Sequence, residues 1–345
     1  LGRPSVHGSG RPFFLYFAPH CPHTPATPPT WYADECPDVK APRQLNYNYS
    51  SPLFHELIAK QPPLTDMDAT LIDDLARSRC QCLMSVDDAY AAIVAKVEEI
   101  GHMQNTYFFV SSDHGYNLGG HRLPSNKMLL YDHSLLIPMV IKGPGIPRNA
   151  KMLQLATNVD FAPTWLELAN IDPPSCMDGK SMLPFLIPNA SSLSIPAATR
   201  ALLQRRREDP IAEMQHRRVA IDPTAFRTEQ FIQYYNQGPW TPENGDDTCP
   251  ICKGKGTRRI LDDASNTYIG LHVVDPSLGS GHYKYGEYQN VCSSDQMLER
   301  TCFNNITMRE LFDLAADPWE LENIAASAPA SLLSELRSRL RRYYP

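Results

Sequence analysis

The sequence lacks any apolar run near the roughly 18 residues that a membrane-spanning helix needs. It also lacks the basic excess of a nucleic-acid surface, since its net charge is −6 with both signs interspersed. The expectation is no membrane span and no nucleic-acid partner. No initiator methionine and no signal-like leader stand at Leu1-Gly2-Arg3, so the chain is expected to begin inside a longer protein. What is present suits a globular α/β chain: 345 residues, 42% of them hydrophobic, enough for one large domain and a smaller one.

Cysteine is not scarce. Nine are spread along the chain, and sequons stand at Asn48, Asn189 and Asn305. Together they favour the secretory pathway, with a lysosomal or extracellular destination and glycans at those asparagines. An odd count leaves one thiol free or paired outside the chain. Cys249-Pro250-Ile251-Cys252 looks like half of a zinc ribbon, but a four-cysteine zinc site needs a second knuckle, and disulfides are the expectation. Arg205-Arg206-Arg207 and Arg217-Arg218 read as a solvated face.

Tyr107-Phe108-Phe109-Val110 reads as a strand buried on both faces, as in a parallel sheet. It breaks into Ser111-Ser112-Asp113-His114-Gly115 and a glycine-rich loop reaching His121. Loops past strand ends converge on ligand crevices in open α/β sheets, so Asp113 and His114 are site candidates; the plain alternative is a turn. Arg11 to Ala18 is a second apolar run of the same kind, breaking into Pro19-His20-Cys21-Pro22-His23-Thr24-Pro25, where the prolines impose an extended loop. Residues 24–64 read as a long ordered loop. A helical pattern begins at Thr65 and strengthens after Ser85, whose side chain is expected to cap, and it ends at Gly101. A strand is expected at Leu136–Ile141, a helix carrying Phe161, Trp165, Leu166 and Leu168, a small antiparallel sheet between 266 and 317, and a final helix near 329–343.

These motifs, in this order, resemble the sulfatase family of the alkaline-phosphatase-like superfamily. The resemblance rests on A-P-H-C-P-H-T-P, S-V-D-D, N-T-Y-F-F-V-S-S-D-H-G-Y, Lys127 with L-Y-D, P-M-V-I-K-G-P-G-I, N-V-D-F-A-P-T-W-L-E-L-A, M-D-G-K-S-M-L-P and D-P-W-E-L-E-N. It is similar above all to the branch holding N-acetylglucosamine-6-sulfatases and heparan endosulfatases. The implied fold is α/β: a central mostly parallel sheet flanked by helices, with its N-terminal strands missing, and a smaller C-terminal antiparallel sheet plus helix. The implied division is 1–190 for the catalytic remainder, 191–260 for an insert or linker, and 261–345 for the C-terminal subdomain.

The resemblance implies a sulfuric ester hydrolase acting on sulfated sugars or glycosaminoglycans. Asp113 and His114 match ligands of a calcium ion, and Lys127 matches a sulfate-contacting lysine with a catalytic role. His23 matches the histidine that contacts sulfate and protonates the leaving group. His20 is its substitute in a shifted register, and His121 a substrate-pocket residue. The family's nucleophile, a formylglycine made within C-x-P-S-R, has no counterpart here, because no cysteine has that context. A C-terminal portion, inactive alone, with the N-terminal remainder as partner, is therefore expected. The alternatives are a two-metal phosphodiesterase of the superfamily and a non-catalytic sulfated-glycan-binding module.

Overall fold

The computed structural model of the protein describes residues 12–187, 226–236, 262–263, 265–289, 292 and 302–344. Helices α1 (Glu56–Ala59), α2 (Asp66–Glu99), α3 (Asp132–Leu135), α4 (Phe161–Leu168), α5 (Leu183–Leu186) and α6 (Ala330–Tyr343) accompany six strands. The strands are β1 (Phe108–Ser111), β2 (Met139–Lys142), β3 (Glu229–Tyr234), β4 (Tyr268–Val274), β5 (His282–Tyr288) and β6 (Met308–Asp313).

Helix α2 runs unbroken for 34 residues. Thr65 caps it: its hydroxyl accepts from the Asp68 amide at 3.2 Å, and the Asp68 carboxylate accepts from the Thr65 amide at 2.8 Å. Two orphan amides are satisfied reciprocally. Ser85, expected as a cap, lies mid-helix and donates to the Cys82 carbonyl instead, at 2.7 Å. The earlier turns were hard to read because α2 buries only a thin stripe, including Ile72, Leu75 and Cys82. Gly101 follows with φ +73, the left-handed position that ends the helix. Disulfides Cys21–Cys82 and Cys36–Cys80 fasten the proline loop and its continuation to this helix.

The C-terminal sheet is antiparallel with strand order β3-β4-β5-β6. Helix α6 covers one face, placing Leu336 and Leu340 against Ile269, Leu271, Tyr285 and Leu311. The antiparallel sheet and the terminal helix thus stand as expected. Strand β3, however, lies inside the stretch read as an insert, so the sheet begins before residue 261. Cys249, Cys252 and Asn189 lie outside the described residues.

The first sheet differs from expectation. β1 and β2 pair antiparallel, from Phe108 opposite Lys142 to Ser111 opposite Met139, and Val110 and Val140 stay exposed. A mostly parallel central sheet is not seen among the described residues. Phe13 to Phe17 form no strand and are exposed; Phe14 and Tyr16 lean on Trp165, ring centres 5.6 and 6.4 Å away. An apolar run carries β propensity, but a strand needs a neighbour to accept its ladder of hydrogen bonds. None of the described strands supplies it here.

Candidate functional site

Two loops carry the candidate residues. The first follows β1. Asp113 accepts from the His114 amide at 3.0 Å and meets His114 Nε2 at 3.2 Å. Asn158 Nδ2 donates to the Asp113 carbonyl at 2.8 Å and fixes the turn. Partial burial pushes the Asp113 carboxyl up, but the His114 charge and hydrogen bonds from Asp113, His114 and Ser112 outweigh it, and its pKa lies below the ordinary value. His114 Nδ1 lies 2.7 Å from the Gly115 carbonyl, so that nitrogen carries a proton, while Nε2 faces Asp113.

The second loop holds His20 and His23, both exposed, with ring centres 5.3 Å apart. His23 Nδ1 lies 2.7 Å from the Thr24 carbonyl, which leaves Nε2 outward. A residue not singled out in the sequence connects the loops. Arg79, on α2, donates to the Pro22 carbonyl at 2.8 Å and lies over the Tyr116 ring, 4.4 Å from its centre. Partial burial lowers its pKa. Nothing in a polar helical stretch distinguishes Arg79 by pattern.

Lys127 stands between Asn126 (φ +82) and Met128 (φ +81), backbone conformations that cost of order 1–3 kcal/mol each for such residues. The surroundings hold them. The Asn117 amide donates to the Asn126 carbonyl at 2.8 Å, while Asn266 Nδ2 and the Tyr268 hydroxyl donate to the Met128 carbonyl at 3.0 and 3.3 Å. Leu130 fills a notch in the C-terminal sheet opened by Gly270 and Gly286, which face each other across β4 and β5. A Cβ at Gly286 would lie 2.3 Å from Leu130 Cδ2. Beyond, fully buried Lys284 pairs with Asp132 and with Glu320, and Glu320 also accepts from the Asp132 amide. The glycine-rich loop, through Asn117, therefore fixes the Asn126 flank of Lys127 and the C-terminal sheet the Met128 flank, while the ammonium of Lys127 has no partner among the described residues.

His121, expected in a substrate pocket, is fully buried. Its ring packs against Phe54 and Tyr131, centres 5.4 and 4.4 Å away, and against His133 at 5.4 Å. Neither of its nitrogens, nor those of His133, has a hydrogen-bond partner among the described residues. Burial lowers the pKa of His121 to about 3 and that of His133 well below its ordinary value. His121 is thus a core residue: its loop turns inward because the His121 amide donates to the Asn46 carbonyl at 2.8 Å. Asn48 also departs from expectation as a glycan acceptor. It is half-buried at φ +54, and its amide exchanges bonds with the Leu64 backbone, donating at 3.3 Å and accepting at 2.7 Å. A glycan on Nδ2 would displace that contact, whereas Asn305 is exposed. Cys292 bonds Cys302, and Cys176 is free and exposed.

Calcium takes roughly six to eight oxygen donors. Asp113 and His114 offer one carboxylate and one imidazole, and among the described residues no group of three or more His, Cys, Asp or Glu side chains is placed to hold a metal. These residues alone do not fit a calcium ion. No helix among the described residues is long and apolar enough to cross a membrane.

Two family models match the chain: Sulfatase over residues 6–171, and N-sulphoglucosamine sulphohydrolase, C-terminal, over residues 119–238. The chain is 31% identical over 337 residues to human (Homo sapiens) N-acetylglucosamine-6-sulfatase, covering 95% of this chain and 51% of that protein. It is 35% identical over 125 residues to the extracellular sulfatase SULF-1 homolog of Drosophila melanogaster, covering 36% and 11%. The chain spans about half the length of the N-acetylglucosamine-6-sulfatases it matches. Among solved structures, the phosphonate monoester hydrolase of Silicibacter pomeroyi aligns with a TM-score of 0.57 at 18% identity, covering 94% of this chain and 53% of that one. BT4656, in complex with its substrate D-glucosamine-2-N,6-O-disulfate, aligns at 0.51 and 21% identity, covering 79% and 40%. These alignments show a fold shared with that hydrolase and with BT4656. The proline loop, the Asp113 turn and the Lys127 loop all fall within the first matched model, and on that match and the relatives' likeness the chain belongs to the sulfatase family.

Proposed function

We propose that the protein containing this chain hydrolyses sulfate esters of glucosamine-type sugars, free or within glycosaminoglycans. The observation that carries the reading is Lys127: an ammonium with no partner among the described residues, whose two neighbours stand in left-handed backbone, Asn126 held by Asn117 and Met128 by the C-terminal sheet. Strain maintained by so much surrounding structure is expected where a side chain must be aimed. Negative charge grows on the sulfuryl oxygens as the ester bond breaks, and a fixed ammonium stabilises it. The departing alkoxide needs a proton, and His23, with Nε2 outward, is the donor; His20 lies beside it and contacts the substrate.

Asp113 and His114 would give part of a calcium-ligand set completed elsewhere in the protein, and the formylglycine nucleophile would come from a C-x-P-S-R segment that these 345 residues do not contain. The exposed Phe13–Phe17 run and the β1–β2 ribbon would join a larger, mostly parallel sheet with that same partner segment. In this reading the domain limits 1–190, 191–260 and 261–345 move only where β3 joins the last unit. The chain alone is inactive, and the protein is lysosomal or extracellular, with glycans at Asn305 and Asn189.

Release of inorganic sulfate from glucosamine 6-sulfate by the whole recombinant protein tests this. The Lys127→Ala variant is expected to lose about 100-fold or more in kcat/KM, the scale of removing one transition-state donor. A whole protein that releases no sulfate, or a Lys127→Ala variant as active as the parent, would refute the reading.

A further inference from the structure

Among the described residues most half-buried cations meet a carboxylate, Lys127 being one exception. Arg227 meets Asp160 at 2.6 Å, Arg339 meets Asp275 at 2.7 Å, and Arg341 meets Glu287 at 2.5 Å. Arg79 is comparably enclosed but has no carboxylate partner among the described residues; its one hydrogen bond goes to the Pro22 carbonyl. Desolvating a guanidinium without a counter-charge is costly, and its lowered pKa follows the same cause. Its position is specific. One donor holds the loop of His20 and His23, its face lies on Tyr116, three residues after Asp113, and Cys80 beside it is bonded to Cys36. The remaining donors of the planar fork have no partner among the described residues, and such a fork suits bidentate binding of a carboxylate or sulfo group.

We infer that Arg79 is an anion subsite next to the ester-cleaving centre, taking a second oxyanion of the substrate, a sulfo group or a uronate carboxylate on the same or the neighbouring sugar. This rests on the sulfatase reading. It makes the protein selective for substrates with two negative groups, because a monoanionic sugar leaves the guanidinium buried and unpaired.

The test compares three substrates in the whole recombinant protein: glucosamine 6-sulfate, its N-sulfated form, and a 6-sulfated disaccharide carrying a uronate. Wild type is expected to favour at least one doubly charged substrate. In Arg79→Gln the KM for that substrate should rise about tenfold or more beyond any rise for the singly charged sugar, on top of whatever loss the released histidine loop imposes on all three alike; Arg79→Lys should restore part of the preference. The substrate whose KM moves identifies the group bound. Equal losses for all three, falling in kcat, would reduce Arg79 to a support for the histidine loop and overturn the inference, as would no change. A second measurement is independent of turnover: the Arg79 Nε–Hε resonance should shift saturably with a desulfated, uronate-bearing disaccharide or with glucosamine N-sulfate. A shift without sulfate release would sink the ester-hydrolase reading and leave the subsite standing; sulfate release without either effect would do the reverse.

Discussion

Lys284 has no exposed side-chain surface, yet it carries charge into the interior and meets both Asp132 and Glu320. Burial raises the Glu320 carboxyl to about 7, against the pull of the ammonium. Such a group is stabilising because it is complete; removing one partner leaves buried charge uncompensated. Lys284→Met is expected to cost about 3–5 kcal/mol in urea unfolding. Adding Glu320→Gln should recover part of that loss, because the stranded carboxylate is then removed. A single variant losing under about 1 kcal/mol would show that the triad contributes little. Glu310 is handled differently. No cation forms an ion pair with it among the described residues, but the Tyr131 and Tyr288 hydroxyls donate to it at 2.8 and 2.7 Å and the His55 amide at 2.6 Å, while burial pushes its pKa up.

At the scale of elements, the joint between the Lys127 loop and the C-terminal sheet is the one that matters for the site. Gly286→Ala places a methyl where Leu130 sits, and overpacking of this kind costs about 1–3 kcal/mol. The loop, rather than the sheet, should yield, since β5 is hydrogen-bonded on both edges. The whole protein carrying Gly286→Ala should lose kcat more than it raises KM, and Leu130→Ala in the same chain should restore part of the rate. Unchanged kcat in the single variant would show that the loop does not depend on the notch.

The same joint shows what could be read in advance. Lys127, Asp113 and the proline loop could be put forward as candidates because motif and spacing lie within short stretches. Tyr268–Val274, Met308–Asp313 and the last helix were legible from period alone. The supports were not: Asn266 and Tyr268 lie 138 and 140 residues from Met128, and no local period encodes such a pairing. Arg79 was invisible for the same reason. His121 misled because a histidine after paired glycines looks exposed, and only the bond from its amide to Asn46 shows that the loop folds inward. The Arg11–Ala18 run misled because burial depends on a neighbouring strand, which local composition cannot report.

Across the whole molecule, one chemical choice recurs: neutral histidine in the core. Burial lowers the pKa of His55 to about 4 and of His121 and His272 to about 3, and takes His133 well below the ordinary range. His272 and His282 share a contact, Nε2 to Nε2 at 2.8 Å, which requires one ring to donate and the other to accept, so at least the accepting ring is neutral. For each group the folded pKa lies below the unfolded value near 6.5, so the unfolded chain binds the extra proton. Their stabilisation is complete above that value and is lost as pH falls toward 3–4, on the order of 1–2 kcal/mol per histidine between pH 7 and 5. Glu320 has the opposite sign, since its raised pKa makes the folded state bind the extra proton between about 4.5 and 7, and it offsets roughly one histidine. Net stability should therefore fall on acidification from pH 7 to 5. His133→Phe removes two buried nitrogens that have no hydrogen-bond partner among the described residues while keeping a ring stacked on Tyr131. It should match or exceed wild type in Tm at pH 7 and show a visibly shallower loss of Tm at pH 5. A parallel decline in the two proteins would mean that His133 takes up its proton without unfolding. A Tm that rises on acidification would mean that buried carboxylates such as Glu320, and not the histidines, govern the acid response.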